Sequence, residues 1–312
     1  MRFDMDANRF TIVGLGEVLW DIFPSGKQLG GAPANFAYMA TLLGERGIVA
    51  SRVGSDGLGI ELRDSLARLS LDTSFLQHDR QHPTGTVRVE VDGSGQPSYE
   101  ITEPAAWDFL GYDQAWQSLA READAICFGS LAQRSPTSRE AIRQFLKGAR
   151  PDVVRVFDVN LRQSFYSAEV IAESAKLADI VKLNDRELPR VMELLGMTHD
   201  DEKTSAQKLL RATGAKLVCV TRGSHGSLLM NADGCDEHPG FEVRIADAVG
   251  AGDAFAAALV YHSLRGSSLA AMNEAANRLG AWVVGQVGAT PPADADLHRR
   301  VRVTSDSNLE TP

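Results

Sequence analysis

Short apolar runs bounded by glycine and polar residues alternate with longer stretches of helical periodicity along most of the chain. Phe10 to Val18 reads as a buried strand ending in glycines, and Ala32 to Leu43 as a helix with Pro33 in its first turn. Lys27-Gln28-Leu29-Gly30-Gly31, between them, reads as a flexible loop. Gly47 to Val53 and Leu58 to Leu69 repeat the strand–helix order, which favours a parallel sheet with helices on its faces. Gly85 to Glu90 and Ser98 to Thr102 then flank Asp92-Gly93-Ser94-Gly95, a pattern that predicts a hairpin acting as a lid or a dimer contact. The alternation resumes with a helix near Asp113 to Ala120 and strands over Ala125 to Gly129, Val153 to Asp158, Ile180 to Leu183 and Leu217 to Thr221. Helices are predicted at Pro136 to Gly148, Ala168 to Leu177, Arg186 to Leu195 and Glu202 to Ala212. Ser227 to Met230 reads as a strand paired with its predecessor, Gly240 to Ala246 as a polar strand, and Ala254 to Leu264 and Leu269 to Val284 as Ala-rich closing helices. Ser305 to Pro312 reads as a frayed tail. No internal repeat or composition break divides the chain.

Composition narrows the class. The 312 residues are 44 % hydrophobic and 23 % charged, ordinary for a soluble globular domain. A net charge of −9 argues against a general nucleic-acid or anionic-membrane surface, so an anionic substrate needs a local amide-rich or basic pocket. Cys127, Cys219 and Cys235 form no C-x-x-C pair, which fits a reducing compartment. MRFDMDANRF lacks an apolar signal core, and no apolar run is long enough to span a bilayer. A soluble, cytoplasmic protein is expected.

The candidate chemistry sits at strand ends. In an open parallel sheet, ligands bind beyond the carboxyl ends of the strands. Gly16-Glu17 with Asp21, Asp158-Val159-Asn160-Leu161-Arg162, Lys182 to Glu187 and Thr221 to Gly226 all fall at such ends. Asp247-Ala248-Val249-Gly250-Ala251-Gly252-Asp253-Ala254-Phe255 opens a helix with a Gly-x-Gly turn, whose unpaired N–H groups suit a phosphate. Asp253 beside them makes sense as a base that takes a proton from an attacking hydroxyl. Alone, the same turn reads more readily as a packed helix start than as a catalytic device, and Asn184 can be read as a helix cap. There is no G-x-x-x-x-G-K-[ST], no complete dinucleotide fingerprint at Gly14-Leu15-Gly16, no nucleophile elbow at Gly223 to Ser227, and no H-E-x-x-H.

Taken together in their order, Gly30-Gly31-Ala32-Pro33-Ala34-Asn35, Asp158-Val159-Asn160 with Arg162, Asn184-Asp185-Arg186-Glu187, and Asp247 to Phe255 resemble the PfkB (ribokinase-like) carbohydrate kinases, most closely the fructokinases. The resemblance runs from Gly14 to about Pro292. It implies one α/β domain over 1–312, a ribokinase-like three-layer sandwich with a mostly parallel central sheet. A small β lid would come from about 17–30 and 84–103. Asp253 would be the catalytic base and the amides of Gly250, Ala251 and Gly252 the anion hole. Asp21, Gly31, Asn35 and Asp253 would bind the sugar. In the alternative to a fructokinase, Arg88 and Arg162 would meet a substrate carboxylate, as suits a 2-keto-3-deoxygluconate kinase; otherwise Arg88 is a solvated lid arginine and Arg162 serves ATP phosphate. Asn160, Asn184, Thr221, Gly223, Gly226, Gly252 and Asn277 would serve ATP, and Glu187 would serve Mg²⁺ through water. Asp247, Val249, Val283 and Gly288 fall where many members bind a monovalent cation such as K⁺. Ala248 departs from the threonine of the common signature, so one hydroxyl is missing there. Fructose is the expected acceptor, with 2-keto-3-deoxygluconate or ribose as alternatives. A non-catalytic sensor or a nicotinamide enzyme fits less well, and a homodimer through the lid is the expected assembly.

Overall fold

The computed structural model describes residues 9–91, 97–292 and 297. The expected turn at Asp92 to Gly95 and the expected tail at Ser305 to Pro312 lie outside the described residues. In the first part of the chain, β1 (Thr11–Leu15), β2 (Leu19–Phe23) and β3 (Gly26–Gly30) precede α1 (Ala32–Leu42). Next come β4 (Arg46–Gly54), α2 (Gly57–Arg68), β5 (Leu76–Asp79), β6 (Gly85–Val91) and β7 (Pro97–Ile101). The middle runs α3 (Gln114–Glu122), β8 (Ala125–Gly129), α4 (Pro136–Gly148), β9 (Val154–Asp158), α5 (Ala168–Leu177), β10 (Ile180–Asn184), α6 (Glu187–Leu194) and α7 (Glu202–Thr213). The chain closes with β11 (Leu217–Thr221), β12 (Ser227–Asn231), β13 (Cys235–His238), α8 (Ala251–Ser263) and α9 (Leu269–Val284).

Nine strands form the central sheet in the order β13-β12-β11-β10-β9-β8-β1-β4-β5 among the described residues. From β11 to β5 all pairs are parallel, and β12 and β13 return antiparallel. Period-two alternation sends Ile12, Val156 and Ile180 to one face, where they pack with Phe36 of α1, Leu62 of α2, Leu259 of α8 and Leu279 of α9. Val13, Phe157 and Val181 face the other way, onto Trp116 of α3, Phe145 of α4 and Leu209 of α7. Burial on both faces explains why these strands read as continuous apolar runs. The result is the expected α/β three-layer sandwich.

A separate four-stranded sheet runs β3-β2-β6-β7. Here the expected loop at Lys27 to Gly31 is corrected: Gly26–Gly30 is a strand, antiparallel to β2, with Trp20 opposite Leu29. Its sequence has no apolar alternation, so only pairing with β2 makes it a strand. The expected strand at Gly240 to Ala246 is likewise absent. The sheet edge is taken upstream by β13, and Glu242 to Ala246 lie exposed without a partner strand. No helix among the described residues is long and apolar enough to cross a membrane.

Candidate active site

Helices α1 and α8 lie on the same face of the sheet, and their N-termini meet over the carboxyl ends of the strands. Each helix is approached through a glycine in the left-handed region, Gly31 at φ 105° and Gly250 at φ 82°. A Cβ at Gly250 would lie 2.6 Å from the Ala289 Cβ, so no side chain fits. The amides of Gly250, Gly252 and Asp253 have no acceptor among the described residues, and that of Ala251 makes only a 3.4 Å bond to the Ala248 carbonyl. This is an amide cradle at a helix start.

Asp253 stands in the first turn of α8, where its Oδ2 accepts a 2.8 Å hydrogen bond from the Asn35 side-chain amide of α1. The Asn35 Oδ1 is buried without a partner among the described residues. Burial and the charge of Asp158 push the Asp253 carboxyl up to about 6, against the Asn35 hydrogen bond and the charges of Lys182 and Arg162. A small cleft lined by Pro33, Phe36, Cys127, Asp158, Asn160 and Asp253 opens at this point. Burial also raises Asp21, on β2, to about 6, with Arg162 opposing the shift. Arg162 itself is exposed, and its charge reaches Glu17, Asp21 and Asp253 together.

Arg88 is different. The β2–β6 register pairs Asp21 with Val87 and Ile22 with Arg88, so Arg88 lies on the opposite face of the small sheet from Asp21. The structure does not bring it to the other sugar-side residues. Trp107 and Asp108 lie at the root of the same sheet. Trp107 is fully buried against Gly85, and Asp108 is committed to Arg134 at 2.7 Å.

On the other side of the cradle, Asn184 caps α6 through 3.0 and 2.9 Å bonds from the Arg186 and Glu187 amides. Glu187 accepts from the Leu161 amide at 2.7 Å and the Asn184 amide at 2.9 Å, tying the Asn160–Leu161 turn to the end of β10. Asn160 takes φ 40° in that turn. Beyond β11, Thr221 leads into a turn with Gly223 at φ 58° and Gly226 at φ 79°. A Cβ at Gly226 would sit 1.9 Å from the His238 carbonyl oxygen. Asn277 is buried, its amide nitrogen donating to Ser227 Oγ at 2.7 Å and to the Asn273 carbonyl at 2.9 Å. Asp247 accepts from the Val249 amide at 3.0 Å and the Gly288 amide at 3.2 Å, which joins these two loops. The Val283 carbonyl accepts from the Gln286 amide at 2.8 Å.

Two charged residues at the floor of the site carry no role in the sequence reading. Glu17 is 3 % exposed, its Oε2 lacks a partner among the described residues, and burial raises it to about 7, with the charges of Asp253 and Asp158 adding to the shift. Lys182, on β10, forms a 2.8 Å ion pair with Asp158 of β9, both nearly fully buried. Each could have been suspected as an isolated charge inside an otherwise apolar run, Val18-Leu19 after Glu17 and Ile180-Val181-Leu183 around Lys182.

Known proteins resemble this chain in sequence and fold. Residues 17–296 match the model of the pfkB family carbohydrate kinases. A sugar kinase of Pyrococcus horikoshii is 31 % identical over 86 % of this chain and 85 % of its own, and its crystal structure superposes with a TM-score of 0.82 over 93 % of this chain and 99 % of that one. The aminoimidazole riboside kinase of Salmonella typhimurium is 31 % identical over 90 % of this chain and 91 % of its own. A fructokinase double mutant of Vibrio cholerae, solved with fructose, ADP and potassium, is 26 % identical with a TM-score of 0.77 over 94 % of this chain and 98 % of that one. The paired helix starts that carry Asn35 and Asp253, on this sheet and with this coverage, assign the chain to the pfkB family of carbohydrate kinases.

Proposed function

We propose that this carbohydrate kinase transfers the γ-phosphoryl group of ATP to a neutral sugar, fructose, giving fructose 6-phosphate and ADP. The carrying observation is the Asp253 carboxylate, held by Asn35 beside the unpaired amides of α8. Asp253 takes the proton of the sugar hydroxyl as that oxygen attacks the γ-phosphorus. The bond from phosphorus to the ADP oxygen breaks, and the amides of Gly250 to Gly252 receive the charge on the equatorial oxygens. The proton ends on Asp253. Asp21, Gly31 and the open Asn35 Oδ1 order the remaining hydroxyls, and the small sheet serves as the lid over 17–30 and 84–103.

Acid dominates the sugar side. Among the described residues, the cations that Glu17, Asp21, Asp158 and Asp253 face are Arg162 and Lys182. A substrate carboxylate would add a further negative charge, which favours a polyol over 2-keto-3-deoxygluconate. The Vibrio cholerae fructokinase, solved with fructose and ADP, and the Pyrococcus horikoshii kinase, solved with ATP, support the same substrates.

Asn160, Asn184, Thr221, Gly223, Gly226 and Asn277 form the nucleotide side of this reading. Mg²⁺ neutralises the ATP phosphates when bound. Among the described residues no group of three His, Cys, Asp or Glu side chains is placed to hold a metal ion, so Glu187 fits a water-mediated contact rather than a protein cage. Asp247, which joins the Val249 and Gly288 loops, and the carbonyls of Val249 and Val283 are the groups that would hold K⁺, with the Asp247 carboxylate supplying its counter-charge. Two copies pairing through the small sheet, whose edges are β3 and β7, complete the reading. The test is a coupled ADP-release assay over fructose, ribose, 2-keto-3-deoxygluconate, aminoimidazole riboside and other nucleosides. Fructose is expected to give the highest kcat/KM, and Asp253→Asn to lower kcat at least ~10²-fold. Near wild-type turnover by that variant would sink the assignment.

A further inference from the structure

Strand β10 is apolar at Ile180, Val181 and Leu183, yet it carries an ammonium among them. Taking a lysine and an aspartate out of water costs several kcal/mol per ion, and a buried pair is seldom more stable than an apolar pair of similar size. Packing alone therefore gives no reason for Lys182 and Asp158. Their position gives one. Lys182 and Asp158 are register partners across the parallel β9–β10 pair. Period-two alternation places Lys182 on the same face as Ile180, the face covered by α8 and α9. Its Nζ lies 3.3 Å from where a Cβ at Gly252 would stand, so the absence of a side chain there lets the ammonium come up beneath the first turn of α8. Asp158 accepts one hydrogen bond from Nζ at 2.8 Å, and no other acceptor holds the ammonium among the described residues. An ammonium has three donors, so two are left beside the amide cradle.

We infer that Lys182 is part of the phosphoryl site: its ammonium supplies positive charge from beneath the amides of Gly250 to Gly252, with Asp158 as the residue that positions it. This rests on the kinase reading above. The groups that face Asp253 are Asn35 on α1, Cys127 on β8, Asp158 on β9, Lys182 on β10, Arg162 after β9 and Glu17 after β1. Lys182 opposes the upward pull of Asp158 on the base. Its loss therefore weakens both the hold on the γ-phosphoryl and the ionisation of Asp253.

The experiment compares wild type with Lys182→Arg, Lys182→Met and the charge-neutral double variant Lys182→Met/Asp158→Asn, which leaves no unpaired buried charge. Isothermal titration with ATP and with ADP, both as Mg²⁺ salts, reads the preference for the γ-phosphate directly, without turnover. The double variant is expected to keep its cooperative melting and its ADP affinity while losing about tenfold in ATP-over-ADP preference, equivalent to about 1.4 kcal/mol. Its kcat should fall roughly 10²-fold, with sugar KM within about threefold. Lys182→Met should move the acid limb of kcat to higher pH, and Lys182→Arg should restore most of the preference. An ATP-over-ADP preference and pH profile like wild type in a folded double variant would overturn the inference. If wild type phosphorylates no sugar in the panel but the nucleotide preference still depends on Lys182, the kinase reading fails and the lysine site stands.

Discussion

Asp253 and Glu17 sit in the same site and are raised by the same dominant cause, burial, but they have different consequences. As the proposed base, Asp253 must be ionised to accept a proton, so its value of about 6 would set an acid limb. Initial rates at saturating ATP should show kcat/KM for the sugar half-maximal near that pH and falling about tenfold per unit below it. Glu17 reports on stability. Its folded value of about 7 lies above the ordinary 4.5, so the native state holds a proton that the unfolded chain releases between those values. Its contribution is favourable at low pH, is lost as pH rises toward 7, and stays lost above. Glu17→Gln carries no charge at any pH. Thermal melts should show it more stable than wild type at pH 8, by up to about 3 kcal/mol, with the gap closing toward pH 5. A pH-independent gap would mean that Glu17 is paired in solution.

At the scale of elements, two glycines of the α8 entry separate strain from chemistry. Gly250 needs φ 82° and abuts Ala289, so Gly250→Ala should lower stability by more than about 1 kcal/mol and disorder the cradle with it. Gly252 has no positive φ, and a Cβ there would press only on the Lys182 ammonium at 3.3 Å. Gly252→Ala is therefore expected to melt within about 1 kcal/mol of wild type yet lose kcat. Parallel melting and kinetics on the pair check this; an equal loss of stability in both would place the strain elsewhere. The small sheet is also anchored from outside itself. The Trp20 indole of β2 donates to the Leu58 carbonyl of α2 at 3.0 Å, and Lys27 of β3 pairs with Glu61. These contacts seat β3 and β2, the strand that carries Asp21.

Across the whole molecule, Asn35 and Asp253 are 218 residues apart in sequence and 2.8 Å apart in the fold, so a sugar bound as proposed would tie the first helix to the last pair. Fructose alone, at about a hundred times its Kd, should raise stability by about 2.7 kcal/mol, read as a higher Tm, and a sugar that is not a substrate should leave Tm unchanged. Much of the frame was legible beforehand. The apolar runs at Ala125 to Gly129 and Leu217 to Thr221, and the helical periods at Pro136 to Gly148 and Leu269 to Val284, emerged with the expected bounds. Those segments are local in their signal: a strand buried on both faces or a helix with an apolar stripe declares itself through its own residues. The polar strand ends and the Gly-x-Gly turn were legible for the same reason. The partners of those residues were not. β3 is a strand only because β2 lies beside it, and Gly240 to Ala246 is not one because β13 already occupies the edge. Likewise, Arg88 turns away from Asp21 because of a register set between strands distant in sequence. The charges of Glu17 and Lys182 are written in the chain, but their burial and the neighbours that give them a role come from residues far along it. The sequence by itself determined the order of elements and the chemistry available at their ends; the tertiary structure decided which of those groups meet, because pairing and desolvation depend on neighbours the chain brings together only by folding.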